Sequence, residues 1–310
     1  MKRILAGDVG GTKVIMALFE YEEGVLRLVS EARYVSADHA DFSAILQDFR
    51  ARHTAPVDAT GFGVAGPVFN RRCQATNLPW VIDAREIEAS QPLGRVALVN
   101  DFKAAALGVL HLQPGEWVDL NPAAKPVPEA PIAVLGAGTG LGEALLFHAG
   151  GRYNVIPTEG GHTDLAPRNE EEIQLLRFLL KRHKRVSYER VLAGAGLHAV
   201  YDHLVDAGYA PESEAVKAAM ATGDPAAVIS QFGQAKQDRL CEKALDMFMA
   251  LYGAEAGNLA LKVIAAGGVY VTGGIAPKNL EKIQDGTFME AYTTKGRFSD
   301  LVASFPVRVV

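Results

Sequence analysis

The chain has 310 residues, of which 49% are hydrophobic and 22% are charged, as in an ordinary globular protein of about two domains. Its formal net charge of −5 argues against non-specific binding to nucleic acid or to anionic membranes. Cys73 and Cys241 stand far apart without a CxxC pair, so the sequence indicates neither a zinc ribbon nor a disulfide framework and favours buried, reduced thiols. The sequence has no run of about 18 apolar residues and no signal-peptide pattern, so we expect a cytoplasmic protein without a membrane span.

The first residues predict two strands joined by a glycine-rich turn. Residues 4–6 are apolar, residues 7–12 interrupt the run, and residues 14–19 are apolar again. Backbone N–H groups in such a turn can converge on phosphate oxygens, and glycine allows a close approach. Asp8 lies inside the turn and is a candidate Mg²⁺ ligand, with turn capping as the alternative.

A second strand–turn–strand unit follows in the middle of the chain. Residues 132–135 are apolar, residues 136–142 are rich in glycine, and residues 144–147 are apolar again. Thr139 takes the place that Thr12 has in the first unit. The repetition predicts a duplicated domain plan.

Common nucleotide motifs do not describe these turns. The sequence has no Gly-Lys dipeptide, which excludes a Walker A loop, and the glycines of residues 136–142 do not fit GxGxxG. A third glycine pair, Gly273-Gly274, follows the predicted strand 269–271. One glycine hairpin is usually only a turn, whereas three of them directly after strands favour phosphate binding.

Asn100 and Asp101 follow a short apolar strand at residues 95–99 and begin a helical run at residues 102–110. Ligands of α/β proteins gather at the carboxyl ends of strands. Asp101 is therefore a candidate base for an attacking hydroxyl group, and a helix N-cap is the alternative. The five prolines of residues 114–131 predict a crossing between domains.

The second half of the chain is predicted to be mostly helical. Asn169 and Glu172 form a capping-box pattern, and the basic run at residues 181–185 is typical of a helix end. One long helical stretch is predicted over residues 226–266, followed by the strand and a helix from Pro277. Strands that alternate with helices indicate an α/β protein.

Residues 157–164 combine two carboxylates and an imidazole with paired glycines. Glu159, His162 and Asp164 could hydrogen-bond the hydroxyl groups of a sugar, or could bind a metal ion. No second histidine or cysteine stands at ligand spacing, which disfavours the metal site. HExxH and GxSxG are absent, so zinc proteases and α/β-hydrolases lack support.

Together these segments resemble the bacterial glucokinase family, which belongs to the actin-like superfamily with hexokinase. The resemblance extends over nearly the whole chain and is carried by LAGDVGGTK (5–13), NDF (100–102), GAGTGLG (136–142), EGGH (159–162), ERVLAGAGL (189–197) and VTGGIAP (271–277). It implies a two-domain actin-like ATPase fold, a duplicated ribonuclease H-like fold with an interdomain cleft. The small α/β domain would span residues 1–112, rejoined by residues 300–310, and the larger one residues 113–299.

The resemblance also assigns roles to residues. ATP phosphates would lie at two turns, Asp8, Gly10, Gly11 and Thr12 in the first and Gly138, Thr139 and Gly140 in the second, with the adenosine at Gly273 and Gly274. Mg²⁺ would be held by Asp8, through water or the ATP phosphates. Asp101 would be the catalytic base, and the sugar would be bound by Asn100, Asp101, Glu159, His162 and Glu189. From its sequence context alone, Glu189 would be interpreted as a capping residue of a helix.

The implied activity is ATP-dependent phosphorylation of glucose at its 6-hydroxyl group by a homodimer, giving glucose 6-phosphate and ADP. A kinase of the same fold for another hexose and a non-enzymatic sugar-responsive regulator are the alternatives. Lys13 is more typical of the related ROK group. That group usually has a cysteine-rich zinc motif, which the two scattered cysteines of this chain cannot form. Family members generally continue past the last strand into a glycine-rich turn and a closing helix, whereas the sequence given ends at Val310.

Overall fold

The computed structural model describes residues 1–76 and 78–310. Its contacts divide the chain into two compact units, Met1–Gly108 and Val109–Val310. Each unit contains a mixed sheet and packed helices, so the predicted α/β class is confirmed. In the described part of the chain, no helix combines the length and the apolar character needed to cross a bilayer.

The first unit has eight strands and three α-helices among its described residues. In chain order they are β1 (Lys2–Val9), β2 (Lys13–Glu22), β3 (Val25–Val35), α1 (Phe42–Arg52), β4 (Ala59–Val64), β5 (Val68–Phe69), β6 (Arg72–Gln74), β7 (Val81–Asp83), α2 (Ala84–Ser90), β8 (Val96–Asn100) and α3 (Asp101–Gly108).

The main sheet of the first unit has the strand order β3-β2-β1-β4-β8. The central strand β1 pairs antiparallel with β2 and parallel with β4, and β4 pairs parallel with β8. Its buried residues Leu5 and Val9 belong to one core with the apolar face of α1. This topology brings the carboxyl ends of β1 and β8 to the same edge of the sheet.

The second unit has six strands and eight α-helices among its described residues. They are β9 (Val118–Asp119), β10 (Ile132–Ala137), β11 (Leu141–Ala149), β12 (Arg152–Thr158), α4 (Glu170–Leu180), α5 (Gly194–Asp206), α6 (Glu214–Thr222), α7 (Pro225–Gln234), α8 (Arg239–Val263), β13 (Gly268–Thr272), α9 (Leu280–Gln284), α10 (Thr287–Thr293), α11 (Ser299–Ala303) and β14 (Val307–Val309).

The sheet of the second unit has the order β12-β11-β10-β13-β14-β9. Its first five strands repeat the pairing of the first unit, because β10 is antiparallel to β11 and parallel to β13, which is parallel to β14. The predicted duplication is therefore present in the strand topology. The central strand β10 is buried at all its positions, and the 25-residue helix α8 belongs to the same core.

Two predicted boundaries differ from the structure. The single helix over residues 226–266 is two helices, α7 and α8, because Lys236 has a positive φ of 53° and the Asp238 side chain caps α8 at Cys241 N. Residues 300–310 were expected to rejoin the first domain. Instead β14 pairs with β13 and β9, and Val307 and Val309 lie in the core of the second unit.

Candidate active site

In the first unit, Asn100 and Asp101 lie where β8 ends and α3 begins. The Asn100 side chain caps α3 by accepting a hydrogen bond from Lys103 N (3.1 Å). Asp101 Oδ1 accepts hydrogen bonds from Phe102 N (2.7 Å) and Asn100 Nδ2 (3.0 Å). Both of these bonds end on Oδ1, which leaves Oδ2 as the oxygen of Asp101 that can accept a proton.

Asp8 and Asp101 line one cavity of about 560 Å³ in the first unit. Burial raises the pKa of Asp101, and burial followed by the negative charge of Asp101 raises the pKa of Asp8 against the opposing charge of Lys13. A divalent cation would relieve this repulsion. Among residues 1–76 and 78–310, no group of three or more His, Cys, Asp or Glu side chains is arranged so that it could hold a metal ion by itself. Mg²⁺ fits such a site, because it is often held by one or two carboxylates with waters and phosphate oxygens.

The first glycine turn is closed by backbone hydrogen bonds. Gly10 N donates to Lys13 O (3.0 Å), and the N–H and Oγ of Ser36 donate to Thr12 O and Gly10 O. A Cβ at Gly10 would lie 3.0 Å from Lys13 O, so a larger residue would crowd the turn. The turn is thus kept compact between β1 and β2, where the sequence predicts a phosphate.

In the second unit, the turns after β10 and β13 lie side by side. Gly273 adopts φ +83°, and a Cβ there would lie 2.5 Å from Ala137 O. Ala137 N donates to the buried Tyr252 hydroxyl (3.0 Å), which donates in turn to Thr272 O (3.3 Å). One phenol therefore links the strand ends that precede Gly138 and Gly273.

These turns line a cavity of about 810 Å³, within the size range of small-molecule sites. Gly194 N, in the first turn of α5, donates to Gly138 O (2.9 Å) and so connects the start of α5 to the turn after β10. The cavity is lined by residues of the two turns, of α5, of α7 with its N-cap, and of the segment after β13. They are Gly138, Thr139, Gly194, Ala195, Leu197, Asp224, Ala226, Ala227, Ser230, Gln231, Gln234, Gly274, Ile275, Lys278 and Asn279. Of these lining residues, only Gly138, Thr139 and Gly274 were predicted from the sequence as nucleotide contacts.

Three of the predicted sugar-binding residues come together in the second unit. His162 Nε2 lies 4.0 Å from Glu159 Oε2, and His162 Nδ1 lies 3.8 Å from Glu189 Oε1. The Glu159 side chain is 88% exposed and that of Glu189 is 32% exposed, so both can be reached by a ligand. The cluster offers carboxylate acceptors and an imidazole, the groups that hydrogen-bond sugar hydroxyls.

The sequence context of Glu189 suggested that it caps a helix, but the structure shows no such role. It lies in the 3₁₀ turn Tyr188–Arg190, and α5 begins only at Gly194. Its Oε2 accepts a hydrogen bond from Leu141 N (3.0 Å), and a Cβ at Gly140 would lie 2.6 Å from this oxygen. The candidate sugar site and the second glycine turn, the candidate phosphate site, therefore share a direct contact.

Comparison with known proteins agrees with these features. A family model described as Glucokinase matches residues 5–310. A glucokinase of Nostoc punctiforme is 41% identical, over 100% of this chain and 95% of the relative.

The chain belongs to the glucokinase family.

Solved glucokinase structures share its fold. The crystal structure of glucokinase from an Antarctic psychrotroph matches with a TM-score of 0.87 and 27% identity, over 100% of this chain and 94% of that one. A ROK family glucokinase from Streptomyces griseus, in complex with glucose and AMPPNP, matches with a TM-score of 0.64 and 20% identity, over 98% of both chains. The predicted glucokinase family, the enzyme class and the actin-like fold are thereby confirmed.

Proposed function

We propose that this glucokinase-family chain transfers the terminal phosphoryl group of ATP to the 6-hydroxyl group of glucose, giving glucose 6-phosphate and ADP. The observation that carries the proposal is the cluster of Glu159, His162 and Glu189, in which Glu189 is hydrogen-bonded beside the turn at Gly140. This turn borders a cavity of nucleotide size. The glucose and AMPPNP in the Streptomyces griseus structure support both ligands.

In this proposal each unit contributes to catalysis. Asn100, Glu159, His162 and Glu189 bind the sugar hydroxyls. The O6 atom attacks the terminal phosphorus, its proton passes to Asp101 Oδ2, and the bond between that phosphorus and the ADP oxygen breaks. Phosphoryl transfer depends mainly on position and on neutralised charge, so a fixed base and fixed phosphate turns account for most of the catalysis.

The phosphate turns and Asp8 complete the nucleotide site. Backbone N–H groups of Gly10–Thr12 and Gly138–Gly140 would bind phosphate oxygens, and Gly273 and Gly274 would lie on the adenosine side. Asp8 would hold Mg²⁺ through water or through the ATP phosphates. When bound, Mg²⁺ supplies positive charge that stabilises the phosphates during transfer.

A panel of sugars tests the proposal. ADP release with ATP–Mg²⁺ is measured with glucose, fructose, mannose and N-acetylglucosamine, and glucose 6-phosphate is detected by a coupled dehydrogenase. Turnover with glucose far above the other sugars is expected. Turnover with a different hexose would keep the mechanism and replace the substrate, because a site built for particular hydroxyls rejects analogues strongly.

No turnover with any sugar would overturn the proposal. The regulator alternative requires DNA binding, and an electrophoretic mobility assay with this protein is expected to show no shift. The homodimer and the cytoplasmic location remain predictions; light scattering after gel filtration measures the first, and cell fractionation measures the second.

A further inference from the structure

A buried carboxyl group lies beneath the turn of residues 159–162 and has no role in the mechanism above. Glu143 on β11 pairs with Thr158 on β12, and Glu143 is 2% exposed. A Cβ at Gly160 would collide with Glu143 Oε2, so this carboxyl group lies directly against the turn. Glu143 Oε1 has no hydrogen-bond partner among the described residues. An unpaired buried oxygen is costly, which points to a role beyond packing.

The turn is also hydrogen-bonded to the backbone of Glu143. Thr158 Oγ1 donates to Glu143 O (2.9 Å) and accepts from Gly160 N (3.1 Å). At the next glycine, Gly161, a Cβ would collide with the carbonyl oxygen of Leu141 on the same strand. The turn therefore has little freedom to move unless β11 or the Glu143 side chain also moves.

A second buried carboxylate connects this region to Glu189. Glu255 on α8 is 0% exposed, and its Oε2 accepts a hydrogen bond from Asn258 Nδ2 (2.9 Å). The same amide group donates to the hydroxyl of Tyr188 (3.0 Å), the residue that precedes Glu189. Glu143 and Glu255 thus support the two segments that carry the candidate sugar-binding residues.

The charges around Glu143 favour its protonated form. The titratable groups that face it are Glu255, Lys262 and Tyr252, all on α8, and the wider network adds Tyr188 and Lys295. Burial, followed by the charge of Glu255, raises the pKa of Glu143 to about 7, and Lys262 opposes the rise. Lys262 Nζ lies 3.4 Å from Glu255 Oε1, so the cation of this group is already paired with Glu255.

We propose that Glu143 is a positioning residue for sugar binding: its protonated carboxyl group supports the 159–162 turn, and its ionisation beside Glu255 loosens that turn. An ionised Glu143 would be a second buried negative charge, which water can reach only if the turn opens. The affinity for the sugar then falls as pH rises through neutrality. The inference rests on the proposed function in that it takes Glu159 and His162 to bind glucose.

The first test is calorimetric titration of glucose into the whole protein at pH 6, 7 and 8. If binding requires the protonated form, the Kd of the wild-type protein rises about tenfold between pH 6 and pH 8. Glu143→Gln imitates the protonated group, so its Kd should stay near the wild-type value at pH 6 throughout. Glu281→Gln, at an exposed position, is the control and should follow the wild type.

The comparison also separates the effect of Glu143 from that of His162, whose imidazole is part of the turn. His162 is present in every variant, so a pH dependence that came from its imidazole would persist in Glu143→Gln. Glu255→Gln removes the neighbouring negative charge and should move the loss of affinity to lower pH. Equal pH dependence in the wild type and in Glu143→Gln would overturn the inference.

A second measurement does not depend on the sugar. Hydrogen–deuterium exchange of residues 158–163 is compared between the wild type and Glu143→Gln at the same pH, so that the intrinsic pH effect cancels. Exchange should be equal at pH 6 and several-fold faster in the wild type at pH 8. Equal exchange at both pH values would reject the role of Glu143, even if the glucose assay had already rejected the proposed function.

Discussion

The Glu189 carboxylate accepts a hydrogen bond from the backbone N–H of Leu141 across 3.0 Å. This bond connects a candidate sugar-binding residue to the residue that directly follows the second candidate phosphate turn. Gly140 leaves the space that the carboxylate occupies, because a Cβ there would lie 2.6 Å from Glu189 Oε2. The position of the proposed sugar site is therefore set in part by the backbone of the proposed nucleotide site.

Gly140→Ala is expected to raise the KM for glucose roughly tenfold, since it displaces Glu189 and breaks a charged hydrogen bond. The obstructing atom is the end of a flexible side chain, so the melting temperature should change little. Gly138→Ala is the matched control, because a Cβ at Gly138 meets nothing within 4 Å. Steady-state kinetics with both substrates should show an effect of Gly138→Ala on ATP but not on glucose. Equal glucose KM values for the two variants would contradict the coupling.

Asp101→Asn is expected to lower kcat roughly 10²- to 10⁴-fold, because the amide cannot take the proton from the 6-hydroxyl group. The amide oxygen can still accept the hydrogen bond from Phe102 N, so folding and the KM for glucose should change little. The coupled assay measures both constants, and Asp300→Asn, at an exposed position, is the control. Turnover near the wild-type rate would remove Asp101 from its proposed role.

Tyr252→Phe is expected to lower the free energy of unfolding by about 1–3 kcal/mol, because Ala137 N and Thr272 O would both lose a buried partner. The KM for ATP should rise as well, since the two turns lose their common link. Tyr292→Phe is the matched control, as its buried hydroxyl has no partner among the described residues. Denaturant unfolding should show no loss of stability for Tyr292→Phe, and a similar loss in both variants would refute the argument.

Glu143 is expected to make stability fall as pH rises from about 4.5 to about 7. Burial raises the pKa of this carboxyl group from 4.5 to about 7, so in this interval the folded protein binds more protons than the unfolded chain. The wild type should therefore lose up to about 3 kcal/mol relative to Glu143→Gln across the interval. Urea unfolding at pH 4.5, 5.5 and 7 measures the difference. A difference that does not change with pH would show that the carboxyl group does not titrate there.

The strands and turns of both units could be predicted from the sequence because they depend on local patterns. Short apolar runs and glycines gave β1, β2, β10 and β11 with their turns. The break between α7 and α8 could not be predicted in this way, since residues 235–238 contain neither glycine nor proline. There α7 ends before Lys236, which adopts a left-handed conformation, and Asp238 is the N-cap residue of α8.

Likewise, only a part of the candidate site could be predicted from local sequence patterns. The EGGH segment and the glycine turns could be identified from short motifs. Glu189 and Leu141, which are in contact, are 48 positions apart in the sequence. The side chain that lies against Gly160 is that of Glu143, on the strand β11. Such contacts depend on tertiary packing. The α7 residues that line the larger cavity could not be predicted either, because alanine and glutamine form no sequence motif that indicates a binding site.

The pairing of β9 with β14 bears on how the chain is made. Asp119 and Arg308, joined by an ion pair at 3.0 Å, are 189 positions apart, so the second sheet cannot be completed until β14 has left the ribosome. All strands of the first sheet lie within the first 100 residues. Contacts between distant segments form slowly, and units made first usually fold first. A nascent chain should therefore carry a folded first unit while the second is still being translated. Until β14 is made, the edge of β13 that pairs with it stays unpaired.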